Sequence, residues 1–136
     1  MYEIFEHTAD LGVRVHAAGL PDPFAEAGRA VLEVIAGDPG QVRLLEEVSF
    51  EIAGTDPEWL LLDWLAEVLA AFDLKRLLLA EFEVTITPVG LRATARGERY
   101  DPSRHVLAHE VKAVTQHEFD LHKTPAGWEA TFILDI

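Results

Sequence analysis

The chain of 136 residues has no cysteine and only two serines, Ser49 and Ser103. The absence of cysteine excludes disulfides and thiolate chemistry, and it suits the reducing cytoplasm. Neither serine belongs to a recognisable Ser-His-Asp spacing, and no G-x-x-x-x-G-K phosphate loop occurs. Nucleophilic catalysis by serine or cysteine is therefore poorly supported, as is a nucleotide site built on a glycine-rich loop.

Positive charge is also scarce, since 11 Lys and Arg side chains stand against 24 Asp and Glu, a formal net charge of −13. Such a surface repels the phosphates of nucleic acids, because tight binding needs cations that displace condensed counterions. We therefore expect no direct tight binding to nucleic acid. The partner that this charge favours is a basic protein surface or a metal ion.

Long apolar runs are missing as well, because the longest one is interrupted by Asp63 and Glu67 and is unable to span a bilayer. The acidic beginning of the sequence, with Glu3 and Glu6, is not typical of a signal peptide. These features predict a cytoplasmic protein without a membrane partner. The length and the 49% of hydrophobic residues predict a single domain over residues 1–136, with the oligomeric state left open.

Two segments have the residue spacing of amphipathic helices. The first begins at Asp22, which we expect to cap the helix, and ends at Gly37. The second follows a capping oxygen and Pro57 and runs to about Lys75, a cation that opposes the negative end of the helix dipole.

Alternating apolar and polar residues predict strands elsewhere. They lie around residues 2–6, 11–15, 42–53, 82–87, 91–96, 119–121 and 128–134. The last four form two hairpins, and the segment 106–116 is ambiguous between a helical turn and a bent strand. We therefore predict an α+β fold, a mostly antiparallel β-sheet with two amphipathic helices packed on one face.

The most informative polar residue is Asp135, the last-but-one residue of an apolar final strand. Aspartate avoids strands and is almost never fully buried without a partner, so Asp135 requires a cation or a hydrogen-bond donor. The carboxylate of Ile136 is one residue away, and Asp10 joins the group if the first and last segments lie side by side. These oxygens are hard ligands that suit Ca²⁺ or Mg²⁺ rather than Zn²⁺ or Cu²⁺.

Other interpretations of these residues stay open. Asp135 can pair with an arginine such as Arg14, while Asp10 caps a turn. His7 can contribute to a metal or acid–base set with Asp10, or simply shape the turn by a hydrogen bond. Lys112 can contact a phosphate or an acidic partner group, or be an exposed cation. A zinc site is weakly supported, because the six histidines lack a third ligand at a fixed spacing.

Five segments of the sequence together resemble the archease family, over essentially the whole chain and in order. The opening Tyr-Glu-Ile-Phe-Glu-His-Thr-Ala-Asp and the ending Ile-Leu-Asp-Ile are the most specific. The others lie in the second helix and in two central stretches. They are residues 2–10, 61–65, 92–105, 110–117 and 133–136. Gln116 departs from the family pattern, in which an aromatic residue is common at this position.

The resemblance implies a cytosolic activator of the RtcB-type RNA-splicing ligase rather than an enzyme. Members of the family speed guanylylation of this GTP-dependent ligase and support multiple turnover in tRNA splicing and RNA repair. The resemblance also implies a divalent cation, Ca²⁺ first with Mg²⁺ or Mn²⁺ as alternatives, bound by Asp10, Asp135 and Ile136. Lys112 corresponds to a lysine used in activation, and His7 belongs to the motif that carries the first aspartate.

Two functions of other classes remain as alternatives. A general chaperone or protein-binding modulator would bind several unrelated clients and would be indifferent to chelation. A metal-dependent hydrolase using Asp10, His7 and Asp135 would turn over phosphoesters by itself. The hydrolase ranks last, because the sequence has no motif that fixes a nucleophile or a phosphate.

Overall fold

The computed structural model describes residues 1–7 and 9–136, so Thr8, which belongs to the predicted first turn, lies outside the described residues. Within the described part the chain forms seven strands, two α-helices and a short 3₁₀ turn at Pro39–Gln41. In chain order the elements are β1 (Tyr2–His7), β2 (Asp10–Ala17), α1 (Asp22–Ala36), β3 (Glu46–Ala53), α2 (Pro57–Lys75), β4 (Leu77–Thr87), β5 (Gly90–Arg99), β6 (Ala113–Thr124) and β7 (Gly127–Asp135).

The strands form two antiparallel sheets, one of four strands in the order β1-β2-β7-β6 and one of three strands in the order β3-β5-β4. The predicted α+β class and both predicted hairpins, β4–β5 and β6–β7, are confirmed. Helix α1 contacts β4 and β2, and helix α2 contacts β6 and β4, so each helix packs against both sheets. Periodicity alone does not indicate the division of the strands between two sheets.

The helix ends follow the chemistry of their capping residues, with one exception. The side chain of Asp56 accepts a hydrogen bond from the amide of Glu58 at 3.0 Å, which satisfies one free donor at the start of α2. Gly37 ends α1 with φ 77°, a left-handed conformation that glycine adopts without steric cost. The expected cap at Asp22 is wrong: Asp22 is the first helical residue, and Pro21 precedes it without a side-chain cap.

The hydrophobic core lies between the sheets and is centred on Trp64 of α2, which is fully buried. Its ring makes edge-to-face contacts with Phe50 and Phe82, at 5.2 and 5.8 Å between centroids. The indole N–H donates to the carbonyl of Phe24 in α1 at 2.8 Å, so the polar atom of this side chain is satisfied inside the core. Trp64 thus joins both helices to the three-stranded sheet.

Of the ambiguous segment 106–116, the part from Ala113 onward belongs to strand β6, and the part before it lies in a connection without regular structure over residues 105–112. It is held at two points, since the amide of Ala108 donates to the carbonyl of Ile35 and the amide of Lys112 donates to the carbonyl of Asp135, both at 2.7 Å. The connection therefore links α1 to the end of β7. Among the described residues, neither helix combines the length and the apolar character needed to cross a membrane.

We expect Trp64→Phe to lower the free energy of unfolding by about 2–4 kcal/mol, because it removes buried volume and leaves the hydrogen bond to Phe24 unmade. Trp59→Phe is the matched control, since Trp59 lies on the same helix but is 57% exposed. This control should change the free energy by less than about 0.5 kcal/mol. Urea denaturation followed by circular dichroism measures both, and equal effects would contradict the assignment of Trp64 to the core.

Candidate functional site

One end of the four-stranded sheet brings together the residues that the sequence singles out. Strands β1 and β2 pair in a register that sets His7 opposite Asp10. Leu11 of β2 is opposite Leu134 of β7, so the next pair in this register is Asp10 with Asp135. Directly opposed residues of antiparallel strands project from the same face. His7, Asp10 and Asp135 therefore form one cross-strand row on the outer face, away from the helices.

The expected proximity of the first and last segments is thus observed, through the pairing of β2 with β7. Asp10 is half-buried, Asp135 is exposed, and Ile136 packs partly against the core. In residues 1–7 and 9–136, no Lys, Arg or His nitrogen lies within 4.0 Å of the carboxylate of Asp10 or Asp135. Arg14, the alternative partner of Asp135, instead binds the carboxylate of Glu3 at 2.6 Å.

Lys112 lies at the same end of the sheet because its amide donates to the carbonyl of Asp135. Its side chain is exposed and comes directly before β6, whose first residue, Ala113, is opposite Asp135. The backbone of Lys112, a residue with an exposed side chain, thus lies at the β6 side of the two aspartates. The predicted metal and activation residues thus lie at the same end of the four-stranded sheet.

The donor set fits a hard divalent cation in its chemistry, since it offers two carboxylates and the oxygens of Ile136. Among the described residues, no group of three or more His, Cys, Asp and Glu side chains is placed to hold a metal ion. The predicted set contains only two such side chains, with main-chain oxygen from Ile136 as the third source. Metal binding by Asp10, Asp135 and Ile136 therefore stays a prediction.

Comparison with known proteins gives a match over the whole chain. The sequence model of the Archease protein family (MTH1598/TM1083) matches residues 2–136. The chain belongs to the archease family. The protein archease of Pyrococcus abyssi is 38% identical over 140 residues, and that of Methanopyrus kandleri is 37% identical over 139 residues. The alignments cover 99% of this chain and 98% and 99% of those archeases, so the resemblance expected from the sequence is confirmed.

The archease fold is confirmed by a solved structure, the solution structure of Methanobacterium thermoautotrophicum protein 1598. It is 34% identical in sequence and superposes with a TM-score of 0.88, covering 99% of this chain and 98% of that one. The two-sheet arrangement described above is therefore shared with a member of the archease family.

One contact near the row was missed by sequence reasoning, a close approach of the His7 ring to the carboxylate of Glu118. His7 Nε2 lies 2.9 Å from a carboxylate oxygen of Glu118, on the interrupted part of β6. The other ring nitrogen, Nδ1, is buried and has no hydrogen-bond partner among the described residues. His7 therefore links β1 to β6, the two outer strands of this sheet.

A second missed group is the buried carboxylate of Glu98, which is 5% exposed. It accepts hydrogen bonds from the Arg43 amide at 2.6 Å, from the Arg104 guanidinium and from His105 Nε2 at 3.1 Å. His105 Nδ1 accepts from the Asp101 amide at 2.9 Å, so the ring proton lies on Nε2. This archease thus fastens its 100–112 connection to β5 by a fully bonded buried charge.

These hydrogen bonds control the ionisation of Glu98. Burial raises the pKa of the Glu98 carboxyl, but donation from Arg104, from the Arg43 amide and from His105 outweighs it and lowers the pKa from 4.5 to about 2. The position of Glu98 on β5 gives no sign of this, because the residue shares one face of the strand with Arg96, which is exposed, and Thr94, which is partly exposed. The burial of Glu98 becomes evident only in the structure, where Arg104 and His105 of the connection bind its carboxylate.

A carboxyl whose pKa is lower in the folded state stabilises the protein above its unfolded pKa and loses that contribution as the pH falls. For Glu98 the loss occurs between about pH 4.5 and pH 2. We expect Glu98→Gln to be less stable than the unmodified protein at pH 7, with the difference shrinking as the pH falls through this window. Urea unfolding at pH 7, 5, 4 and 3 measures it, and a difference that is constant with pH would contradict this account.

Proposed function

We propose that this archease is a metal-binding protein cofactor of an RtcB-type RNA ligase and is not itself an enzyme. In this proposal it works in the cytoplasm, where it promotes guanylylation and multiple turnover of the GTP-dependent ligase in tRNA splicing and RNA repair. The single observation that supports this best is the position of Asp10, Asp135 and Lys112 at the same end of the four-stranded sheet. Family membership makes the ligase the first partner to test.

The proposed ligands are the carboxylates of Asp10 and Asp135 with an oxygen of Ile136, and the proposed ion is Ca²⁺, with Mg²⁺ or Mn²⁺ as alternatives. Adjacent carboxylates without a cation repel each other, which favours binding of a divalent ion. Such an ion, when bound, supplies concentrated positive charge that can polarise phosphate oxygens. Asp10, Asp135 and Ile136 would hold and orient the ion at one end of the four-stranded sheet, where a second protein has access.

The charge of the chain supports docking on a cationic partner site. A ligase that uses GTP must bind a triphosphate, and phosphate sites are lined with cations or metal ions. The net charge of −13 favours encounter with such a site and speeds it at low ionic strength. Lys112, the exposed cation beside Asp135, is placed to contact a phosphate or an acidic group of the partner.

We expect Asp10→Ala to abolish stimulation of ligase guanylylation, because it removes one of the two carboxylates from the row. Transfer of labelled guanylate from GTP to the ligase, followed in single turnover, measures the effect. Asp120→Asn is the matched control, an aspartate on the same sheet that is opposite Thr131, four residues along β7 from Asp135. Full stimulation by Asp10→Ala, with its circular dichroism unchanged, would refute the proposed function.

We expect saturating Ca²⁺ to raise the melting temperature, because an ion that binds only the folded state stabilises it by about 2.7 kcal/mol at 100 times its dissociation constant. Asp10→Ala and Asp135→Asn should lose this increase. Lys112→Ala should keep it and still stimulate the ligase poorly, since its proposed role is contact with the partner. Differential scanning calorimetry with Ca²⁺ or chelator tests this, and an equal increase in all four proteins would contradict the ligand assignment.

A further inference from the structure

The ladder between β6 and β7 is interrupted over residues 116–119, a segment that we call the strap. The register runs regularly up to Thr115 opposite Ile133 and resumes at Asp120 opposite Thr131. Four residues of β6 therefore stand against the single residue Phe132 of β7. This irregularity is larger than an ordinary two-against-one β-bulge, and it frees the strap from the ladder. The amide of His117 donates to the side chain of Thr115 at 2.9 Å, which satisfies one of the freed donors locally.

The strap reaches across the outer face of the sheet. Neighbouring strands are about 4.8 Å apart, so β1 and β6, the two edges of this sheet, are separated by about 14 Å in a flat ladder. Glu118 nevertheless lies 2.9 Å from His7, and the rings of His117 and His7 are 6.4 Å apart at an interplanar angle of 61°. This contact spans β2 and β7, the strands that carry Asp10 and Asp135.

The backbone of Glu118 has φ 57°, in the left-handed region that side chains other than Asn, Asp and Gly rarely adopt. Glycine would fit this conformation without steric cost. The carboxylate is therefore placed at a position where the backbone itself prefers glycine. In the structure this carboxylate contacts His7, the last residue of β1 and opposite Asp10, and also lies 3.8 Å from the ring of His117.

We propose that Glu118 is a positioning residue of the metal centre, an inference that rests on the proposed function. Through its 2.9 Å contact with His7, Glu118 holds the end of β1 against the sheet. Because His7 stands opposite Asp10, this contact also holds the first residue of β2 in register with the end of β1. Partners that orient a metal ligand directly typically change metal affinity about 10- to 100-fold, and Glu118, which acts through His7 and not on a ligand, is expected at the lower end of this range.

The substitution Glu118→Gly tests this role, because stability and affinity should move differently. Glycine removes the carboxylate and relieves the left-handed strain, so the melting temperature without metal should be unchanged or higher. The dissociation constant for Ca²⁺, measured by isothermal titration calorimetry, should nevertheless rise about tenfold. A residue with a merely structural role would lower the melting temperature and leave the affinity of the folded protein unchanged.

Loss of one negative charge can weaken cation binding without any change in position, and two controls separate these effects. Glu6→Gln removes the same charge from the neighbour of His7 on β1. Glu129→Gln breaks a similar ion pair on the same sheet, with His16 at 3.5 Å and far from the row. We expect these controls to raise the dissociation constant by about twofold or less, since charge effects alone at such distances are small in water.

The outcomes separate the two proposals. If Asp10→Ala abolishes Ca²⁺ binding and Glu118→Gly weakens it well beyond Glu6→Gln, both proposals are supported. If Asp10→Ala abolishes binding while Glu118→Gly matches Glu6→Gln, the positioning role of Glu118 is wrong and the metal assignment stands. If Asp10→Ala leaves Ca²⁺ binding unchanged, the metal assignment fails, and the positioning role that depends on it fails too.

Discussion

The pairing of β2 with β7 is the contact on which the candidate site depends, since it joins residues more than a hundred positions apart in the chain. The register is fixed by side chains that face the core, with Val13 opposite Phe132 and Val15 opposite Ala130, all fully buried. A slip of one residue would turn these groups to solvent. The packing that stabilises the sheet therefore also sets Asp10 and Asp135 side by side at its end.

In the described part of the chain, no helix packs on the outer face of this sheet, and the side chains of the strands themselves cover that face. The ring of Phe5 lies on Gly12, where a Cβ atom would be 2.2 Å from a ring carbon, and Arg14 stacks 5.0 Å above that ring. Ile133, opposite Gly12, is 1% exposed on this side of the sheet. The stacked side chains of Phe5 and Arg14 cover one half of this outer face, and the strap lies over the other half. Without them, the apolar side chain of Ile133 would be exposed.

Much of the fold follows from the sequence because its signals are local. Alternation at Leu11, Val13 and Val15 predicts β2, and the capping oxygen at Asp56 marks the start of α2. The site was partly predictable, since a terminal aspartate after an apolar strand requires a partner near another strand end. The strap was not predictable. Val114 and Phe119 both pack against the core, although residues five positions apart on a regular strand face opposite sides. That change of phase marks a bulge, but it does not indicate what the released residues touch.

The strap also borders a notch of about 160 Å³ lined by Glu58, Trp59, Leu62, Gln116 and Phe119. Trp59 is more than half exposed there, whereas Trp64 is sealed in the core. Indole emission depends on the polarity around the ring, so the fluorescence of Trp59 is sensitive to the position of the strap. Movement of the strap, by an ion or by a second protein, changes the fluorescence of an unlabelled chain.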